Sequence, residues 1–288
     1  MKTVEIAKGV RSSILGFGCA PVLGAVGAKT AERALGTALD HGVTHFDVAR
    51  SYGYGEAEGF LGRFFAGRRD QAVIATKFGI RATWRATLLR PLKPVVRALK
   101  ARKKYDGPPS PAAPMTAPRN DPFHERVPLE PMFMRKSLEH SLRALRTDHV
   151  DVLFVHEPPG AIERLDDLAA AAEALKSAGK IKAWGLAYDS LSHELHAPTF
   201  DRFDVLQFDN SPAATHYAAT VAERGTMPNV LFSPFRGSPG MAPSGILKSM
   251  WTDFPNSVVL CSMFTPEHIR SNADAANSVG MRPPGSTL

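Results

Sequence analysis

The sequence predicts an α/β fold: a closed parallel (β/α)8 barrel of the TIM type, with an N-terminal β-hairpin and a basic, proline-rich insertion after the third barrel strand. Three observations predict it. Eight short apolar segments, at 14–18, 43–47, 72–77, 150–156, 181–187, 204–208, 230–233 and 257–261, alternate with connecting stretches, several of them helically patterned. Segments such as VDVLFV are apolar without strict alternation, as strands buried on both faces must be. An open doubly wound sheet would need a G-x-G-x-x-G turn opening its first helix, and GFGCAPVLGAVG after the first strand lacks that spacing. Residues 1–288 are therefore read as one domain, with 81–132 inserted within it.

The elements follow in order. Residues 3–6, then Lys8-Gly9, read as a hairpin before the barrel. After the first barrel strand, Thr30 is the expected N-cap of a helix whose Ala31, Ala34, Leu35, Ala38 and Leu39 share one face and which Gly42 ends. The second strand runs into FDVARSYGYGEAEGFLG, where a glycine-flanked turn separates Asp47 and Tyr52 from a helix packed through Ala57, Phe60, Leu61, Phe64 and Phe65. Strand 3, VIATKFG, delivers Lys77 at its end, and strand 4, VDVLFVHEP, delivers His156. Ile162, Leu165, Leu168, Ala172 and Leu175 repeat the helical pattern up to Gly179.

The insertion breaks this rhythm. Residues 81–104 hold nine Lys or Arg and no acid, against 35 basic and 28 acidic residues in the chain, so the remainder is nearly neutral at 26 against 28. Charge localised in this way could meet a phosphate-bearing substrate, an acidic partner, a membrane surface or nucleic acid. Few aromatics interleave it, Trp84 and Tyr105 among them, and no nucleic-acid-binding module is present, so a solvated basic helix is the preferred reading. That helix starts near Lys93 because of Pro91 and Pro94, packing Val95, Val96 and Leu99 and exposing Arg97, Lys100, Arg102 and Lys103. Eight prolines in 105–132 point to an extended lid.

Composition excludes other classes. No apolar run is long enough for a membrane span and MKTVEIAKGV has no secretory character, so a cytoplasmic protein is expected. Cys19 and Cys261 are too few for a disulfide scaffold and lack zinc-site spacing; no metal is expected, and the pair reads as two reduced core residues near the barrel mouth. No serine or cysteine stands in a nucleophile-elbow context. A glycosidase would need two facing carboxylates, and Glu157, following His156, is expected to point away.

Loops beyond the carboxyl ends of barrel strands build the active site in this fold, and Asp47, Tyr52, Lys77 and His156 all fall there. Each has a plainer reading: a buried Asp47–Lys77 ion pair, a packed Tyr52, a hydrogen-bonded core His156 before Pro158. Together, in this order and on successive strands, they resemble the catalytic motifs of the aldo-keto reductase family, and the resemblance runs from about Thr3 to Asn272. It implies NAD(P)H-dependent reduction of an aldehyde or ketone, or the reverse, with NADPH or NADH as cofactor and a small carbonyl compound as partner. Tyr52 would supply the proton, Lys77 would lower its pKa, Asp47 would hold Lys77, and His156 would orient the carbonyl.

The same resemblance implies cofactor contacts at Gly18, Gln207, Phe232, Ser233, Pro234, Ser262, Phe264, His268 and Asn272, and a substrate contact at Trp84. Where the family carries a Ser-Asn pair after the fifth strand, this chain has Ala187 and Tyr188; Phe232 keeps a stacking face, and Cys261 replaces a glycine. Those departures keep a second function open, a regulatory or partner-binding barrel with weakened nicotinamide binding. The chain runs 16 residues past Asn272, so the pocket is expected to be open or covered by the basic insertion.

Overall fold

The computed structural model describes residues 1–93 and 122–279. The hairpin forms as expected, β1 (Thr3–Ala7) antiparallel to β2 (Val10–Ser13), with Gly9 supplying the left-handed turn at φ +73°. Ser12 Oγ lies 3.0 Å from His45 Nδ1 and the Ser13 amide donates to Thr44 Oγ1 at 2.9 Å, so the hairpin closes the end of the barrel where strands begin.

Eight parallel strands close the barrel: β3 (Leu15–Gly18), β4 (His45–Asp47), β5 (Val73–Phe78), β8 (Val150–His156), β9 (Ile181–Tyr188), β10 (Val205–Asp209), β11 (Asn229–Phe232) and β12 (Val258–Cys261), with β12 returning to β3. All seven residues of β8 are buried, which accounts for its unbroken apolar pattern. The expected strand limits differ from these by one or two residues at most ends. Two further strands, β6 (Ile80–Ala82) and β7 (His124–Arg126), pair antiparallel and fasten the base of the insertion.

Helices α1 (Ala28–Asp40), α2 (Ala57–Phe64), α4 (Pro131–Leu145) and α5 (Leu165–Ser177) belong to the outer layer, and α3 (Trp84–Leu88) opens the insertion. The carboxyl half adds α6 (His193–His196), α7 (Tyr217–Arg224), α8 (Pro243–Asp253) and α9 (Pro266–Ser278). Thr30 is not the N-cap: α1 begins two residues earlier, after an extended Gly27 that offers no side-chain acceptor. Ile162 lies before α5 and packs on the core from the preceding loop. α4 was not expected; Pro131 occupies its first turn, where a missing amide costs nothing, and Met134, Leu138, Leu142 and Leu145 form its buried stripe. A Cβ on Gly62 would lie 2.4 Å from the Ala144 carbonyl oxygen, so α2 and α4 approach to a distance only glycine permits.

The expected basic helix, Val95, Val96, Leu99, Arg97, Lys100, Arg102 and Lys103, lies outside the described residues, as does most of the proline-rich lid. Among the described residues no helix is long and apolar enough to cross a membrane. Both cysteines are buried free thiols, and burial raises the pKa of each.

Candidate active site

The carboxyl ends of the barrel strands surround a cavity of about 680 Å³. Asp47, Tyr52, Lys77 and His156 all line it, contributed by β4, the loop after it, β5 and β8. Lys77 Nζ donates to Asp47 Oδ1 at 2.5 Å and to the Val48 carbonyl at 3.3 Å; Gln207 Nε2 donates to Asp47 Oδ2 at 2.8 Å. Both oxygens of Asp47 are thus engaged, and Gln207 is turned so that its Oε1, buried and without a partner, is left as an acceptor. Lys77 Nζ sits 5.2 Å from the centre of the Tyr52 ring, which meets the His156 ring edge-on at 6.2 Å.

The Tyr52 loop is held by the start of the insertion. Gly53 and Tyr54 take left-handed conformations at φ +59° and +57°, which leaves their carbonyls outside any helix. Arg90 donates twice to the Tyr54 carbonyl, at 3.0 and 2.9 Å, and Lys93 Nζ donates to the carbonyls of Gly53 at 2.7 Å and Leu23 at 3.0 Å while pairing with Glu56 at 2.5 Å. Arg81 pairs with Glu125. Arg90 and Lys93 therefore have internal partners, whereas the Arg81–Glu125 pair is half exposed.

Electrostatics fix the protonation states. Burial, reinforced by the carboxylates of Asp47 and Glu157, holds the Tyr52 phenol well above its ordinary pKa, so it is a neutral O–H donor, and the expected lowering by Lys77 is not found. Burial, then the charges of Lys77 and Arg126, pushes His156 well below its ordinary value, and its Nδ1 has no partner.

Of the expected cofactor residues, Gly18, Gln207, Phe232, Ser233, Pro234 and Ser262 line this cavity. Phe264, His268 and Asn272 do not: Phe264 packs edge-on against Phe17 at 5.2 Å, the His268 amide is capped by Thr265 Oγ1, and Asn272 is buried along α9. Trp84 is also absent from the lining; it is 68% exposed at the start of α3, beneath the Arg85 guanidinium. At the fifth strand Ala187 presents a methyl to the cavity, while Tyr188 turns outward, its hydroxyl 3.2 Å from His193 Nδ1.

Two features were missed. Glu157 does not point away from His156 but lines the cavity beside it, and burial pushes its pKa up to about 7. Arg236, in the loop after β11, also lines the cavity and pairs with Asp209 at 2.6 Å. The RG pair in SPFRGSPG was a visible turn signal; the orientation of Glu157 had none.

A nicotinamide dinucleotide fits what is present. The Phe232 ring offers an apolar stacking face, Gln207 Oε1 is an unpartnered acceptor for an amide, and Gly18 leaves the floor open, since a Cβ there would meet Ser262 Oγ at 3.1 Å.

Comparison with known proteins agrees. The profile of the aldo/keto reductase family matches residues 15–197. A D-threo-aldose 1-dehydrogenase of a Pseudomonas species is 30% identical over 76% of this chain and 65% of its own length. A 6-dehydroglucose reductase of Agrobacterium fabrum is 35% identical over 52% of this chain and 40% of its own, and aldo-keto reductase YhdN of Bacillus subtilis is 26% identical over 64% and 45%. The matches thus span less than two thirds of each of these relatives. Among solved structures, aldo-keto reductase AKR11C1 from Bacillus halodurans in its holo form superposes with a TM-score of 0.69 at 20% identity, covering 98% of this chain and 92% of that one. An aldo-keto reductase from Klebsiella pneumoniae in complex with NADPH gives 0.62 at 21% identity, covering 96% and 89%; at such identities these two show the shared fold. With the profile match over more than half its length, the chain belongs to the aldo/keto reductase family.

Proposed function

We propose that this chain reduces an aldehyde or ketone to an alcohol with NADPH or NADH, or catalyses the reverse, and that Tyr52 is the proton donor. The observation that carries this reading is the convergence of Asp47, Tyr52, Lys77 and His156 on one cavity, with Lys77 locked to Asp47 at 2.5 Å. Bound nicotinamide supplies the hydride that the carbonyl carbon accepts. The residues handle the oxygen. Neutral Tyr52 donates its O–H to the carbonyl, and His156, held uncharged by burial, adds a hydrogen bond that orients it. As the carbon–oxygen π bond breaks and charge gathers on oxygen, the Tyr52 proton passes to it and the phenolate left behind faces the Lys77 ammonium. Asp47 keeps that ammonium in place, itself fixed by Gln207.

One observation favours a second reading: Ala187 offers no hydrogen bond to the cavity and Tyr188 turns away, as in a partner-binding barrel with weakened cofactor affinity. Titration with NADPH and with NADH, followed by fluorescence, decides between them. Binding by both the parent and Tyr52→Phe, with carbonyl reduction only in the parent, supports the reductase. No binding of either dinucleotide at millimolar concentration selects the barrel.

A further inference from the structure

We infer that the exposed apolar face formed by Trp84, Leu88 and Leu92, at the base of the insertion, docks on a bilayer that contains anionic phospholipid. The inference is independent of the reductase reading above. A surface helix ordinarily turns its large apolar residues inward and its small or polar ones to water. α3 does the reverse: Ala86 is its one buried residue, while Trp84 and Leu88 are 68% and 66% exposed. Leu92, four residues further on in a 3-10 turn, continues the face at 53% exposure, with Leu89 beside it. This orientation is held at both ends. The Thr83 amide donates to the Phe123 carbonyl at 2.9 Å and its hydroxyl to the Pro122 carbonyl at 2.8 Å, while Thr83 Oγ1 caps the Ala86 amide at 3.3 Å. At the far end Arg90 grips the Tyr54 carbonyl through two donors. The apolar side chains are therefore presented outward by a fixed backbone.

Charge names the partner. Residues 81–104 contain nine Lys or Arg and no acid. The carboxylates that meet this stretch, Glu56 and Glu125, are taken by Lys93 and Arg81. Among the described residues Arg85 and Arg90 have no carboxylate partner: Arg85 lies over the Trp84 ring, 5.5 Å from its centre, and Arg90 serves a carbonyl. The sequence adds five more Lys or Arg between 94 and 104. An apolar face rimmed by cations, with no acid to repel a negative surface, suits a segment that lies on an anionic membrane. Its indole and leucines enter the boundary between headgroups and acyl chains, and its cations meet lipid phosphates.

Other partners fit this face less well. Leucines exposed this far project from the surface, and a projecting side chain needs a matching pocket in a protein but none among acyl chains, which yield to it. A second copy of this chain would bring the same cations against themselves, and like charges oppose that contact. Nucleic acid stacks its bases on aromatic faces, and here a single indole, already covered by Arg85, stands among leucines.

The test adds the full chain to large unilamellar vesicles of phosphatidylcholine alone, or of equal parts phosphatidylcholine and phosphatidylglycerol, and reads binding by co-flotation. Trp84 is a built-in probe, because Trp184 and Trp251 are both 2% exposed. The parent should bind the anionic vesicles about 100-fold more tightly than phosphatidylcholine alone and release them as salt is added. Its indole emission should shift to the blue and be quenched by brominated acyl chains. Changing Leu88 and Leu92 together to Ser should weaken binding by about 10- to 100-fold, and Arg85→Gln by about fivefold. Both variants should melt as the parent does, since the replaced side chains are exposed, so a lost contact is told apart from a lost fold. No binding of the parent to anionic vesicles overturns the inference. So does binding that is undiminished in the Leu88→Ser, Leu92→Ser double variant, or that leaves the indole emission unchanged, since either reduces it to adsorption by charge. Binding of soluble poly-L-glutamate, or concentration-dependent dimers in sedimentation, found in place of vesicle binding and lost in the same double variant, would overturn it too and give the face to an acidic protein or to a second copy.

Discussion

Replacing Glu157 by glutamine should leave the protein more stable than the parent at pH 8 and no more stable at pH 4.5. Burial lifts the folded-state pKa of Glu157 from 4.5 to about 7, so the folded protein holds this proton more tightly than the unfolded chain does. Its favourable contribution is complete below about 4.5 and is lost as pH rises through about 7. The gap of about 2.5 pH units, at about 1.4 kcal/mol each, makes the ionised carboxylate cost about 3 kcal/mol above neutrality. Glutamine keeps the size of the side chain and removes the titration. The two proteins, melted or unfolded in urea at intervals from pH 4.5 to 8.5, should diverge progressively, by about 5–10 °C in Tm at the alkaline end. Groups common to both cancel in the difference. A Tm difference that does not change with pH would refute the assignment of a buried, proton-retaining carboxyl at this wall.

Other outcomes follow from the same geometry. Gly62→Ala should cost about 1–3 kcal/mol in urea unfolding, because its Cβ would press on the Ala144 carbonyl at 2.4 Å where α2 and α4 meet. Arg90→Ala combined with Lys93→Met should lower kcat about tenfold or more with little change in NADPH affinity, since the carbonyls of Tyr54 and Gly53 lose the donors that position Tyr52. Asp151→Asn should cost about 3 kcal/mol, because Arg69, Lys182 and the Ile74 amide converge on a carboxylate with 3% side-chain exposure. Burial alone would raise the Asp151 pKa, yet those partners hold it below the ordinary value. Its contribution is therefore present at neutral pH and lost on acidification, so the parent and Asp151→Asn should converge in Tm as pH falls below about 4.

The barrel was legible because its signal is local: each strand is a short apolar run, and burial of every residue of β8 leaves no alternation to misread. Asp47, Tyr52, Lys77 and His156 were legible because strand ends in this fold converge by construction. What failed depended on contacts distant in sequence or on backbone geometry. The stripe of Met134, Leu138, Leu142 and Leu145 in α4 was there to be read, but it lies between the proline-rich stretch ending at 132 and the strand from 150, where no element was assigned. Nothing local marked Arg90 and Lys93 as braces of the Tyr52 loop, because the carbonyls that take them lie 36 and 40 residues away. Glu157 was assigned outward by the alternation rule, and only its positive φ reverses that; glutamate in sequence gives no hint of it. Trp84, Phe264, His268 and Asn272, named by position in a motif, lie outside the lining of this cavity, and whether a bound dinucleotide or substrate reaches them is a separate question from that lining.

The central claim is that this cavity reduces carbonyls with Tyr52 as proton donor. Its most direct test is a single experiment on the parent and Tyr52→Phe: NADPH affinity by fluorescence titration, then single-turnover oxidation of the bound cofactor by a reactive aldehyde. Comparable affinity in both proteins, with turnover in the variant slower by about 100- to 10,000-fold, is the predicted result. Absence of NADPH and NADH binding by the parent at millimolar concentration, or undiminished turnover in Tyr52→Phe, would contradict it.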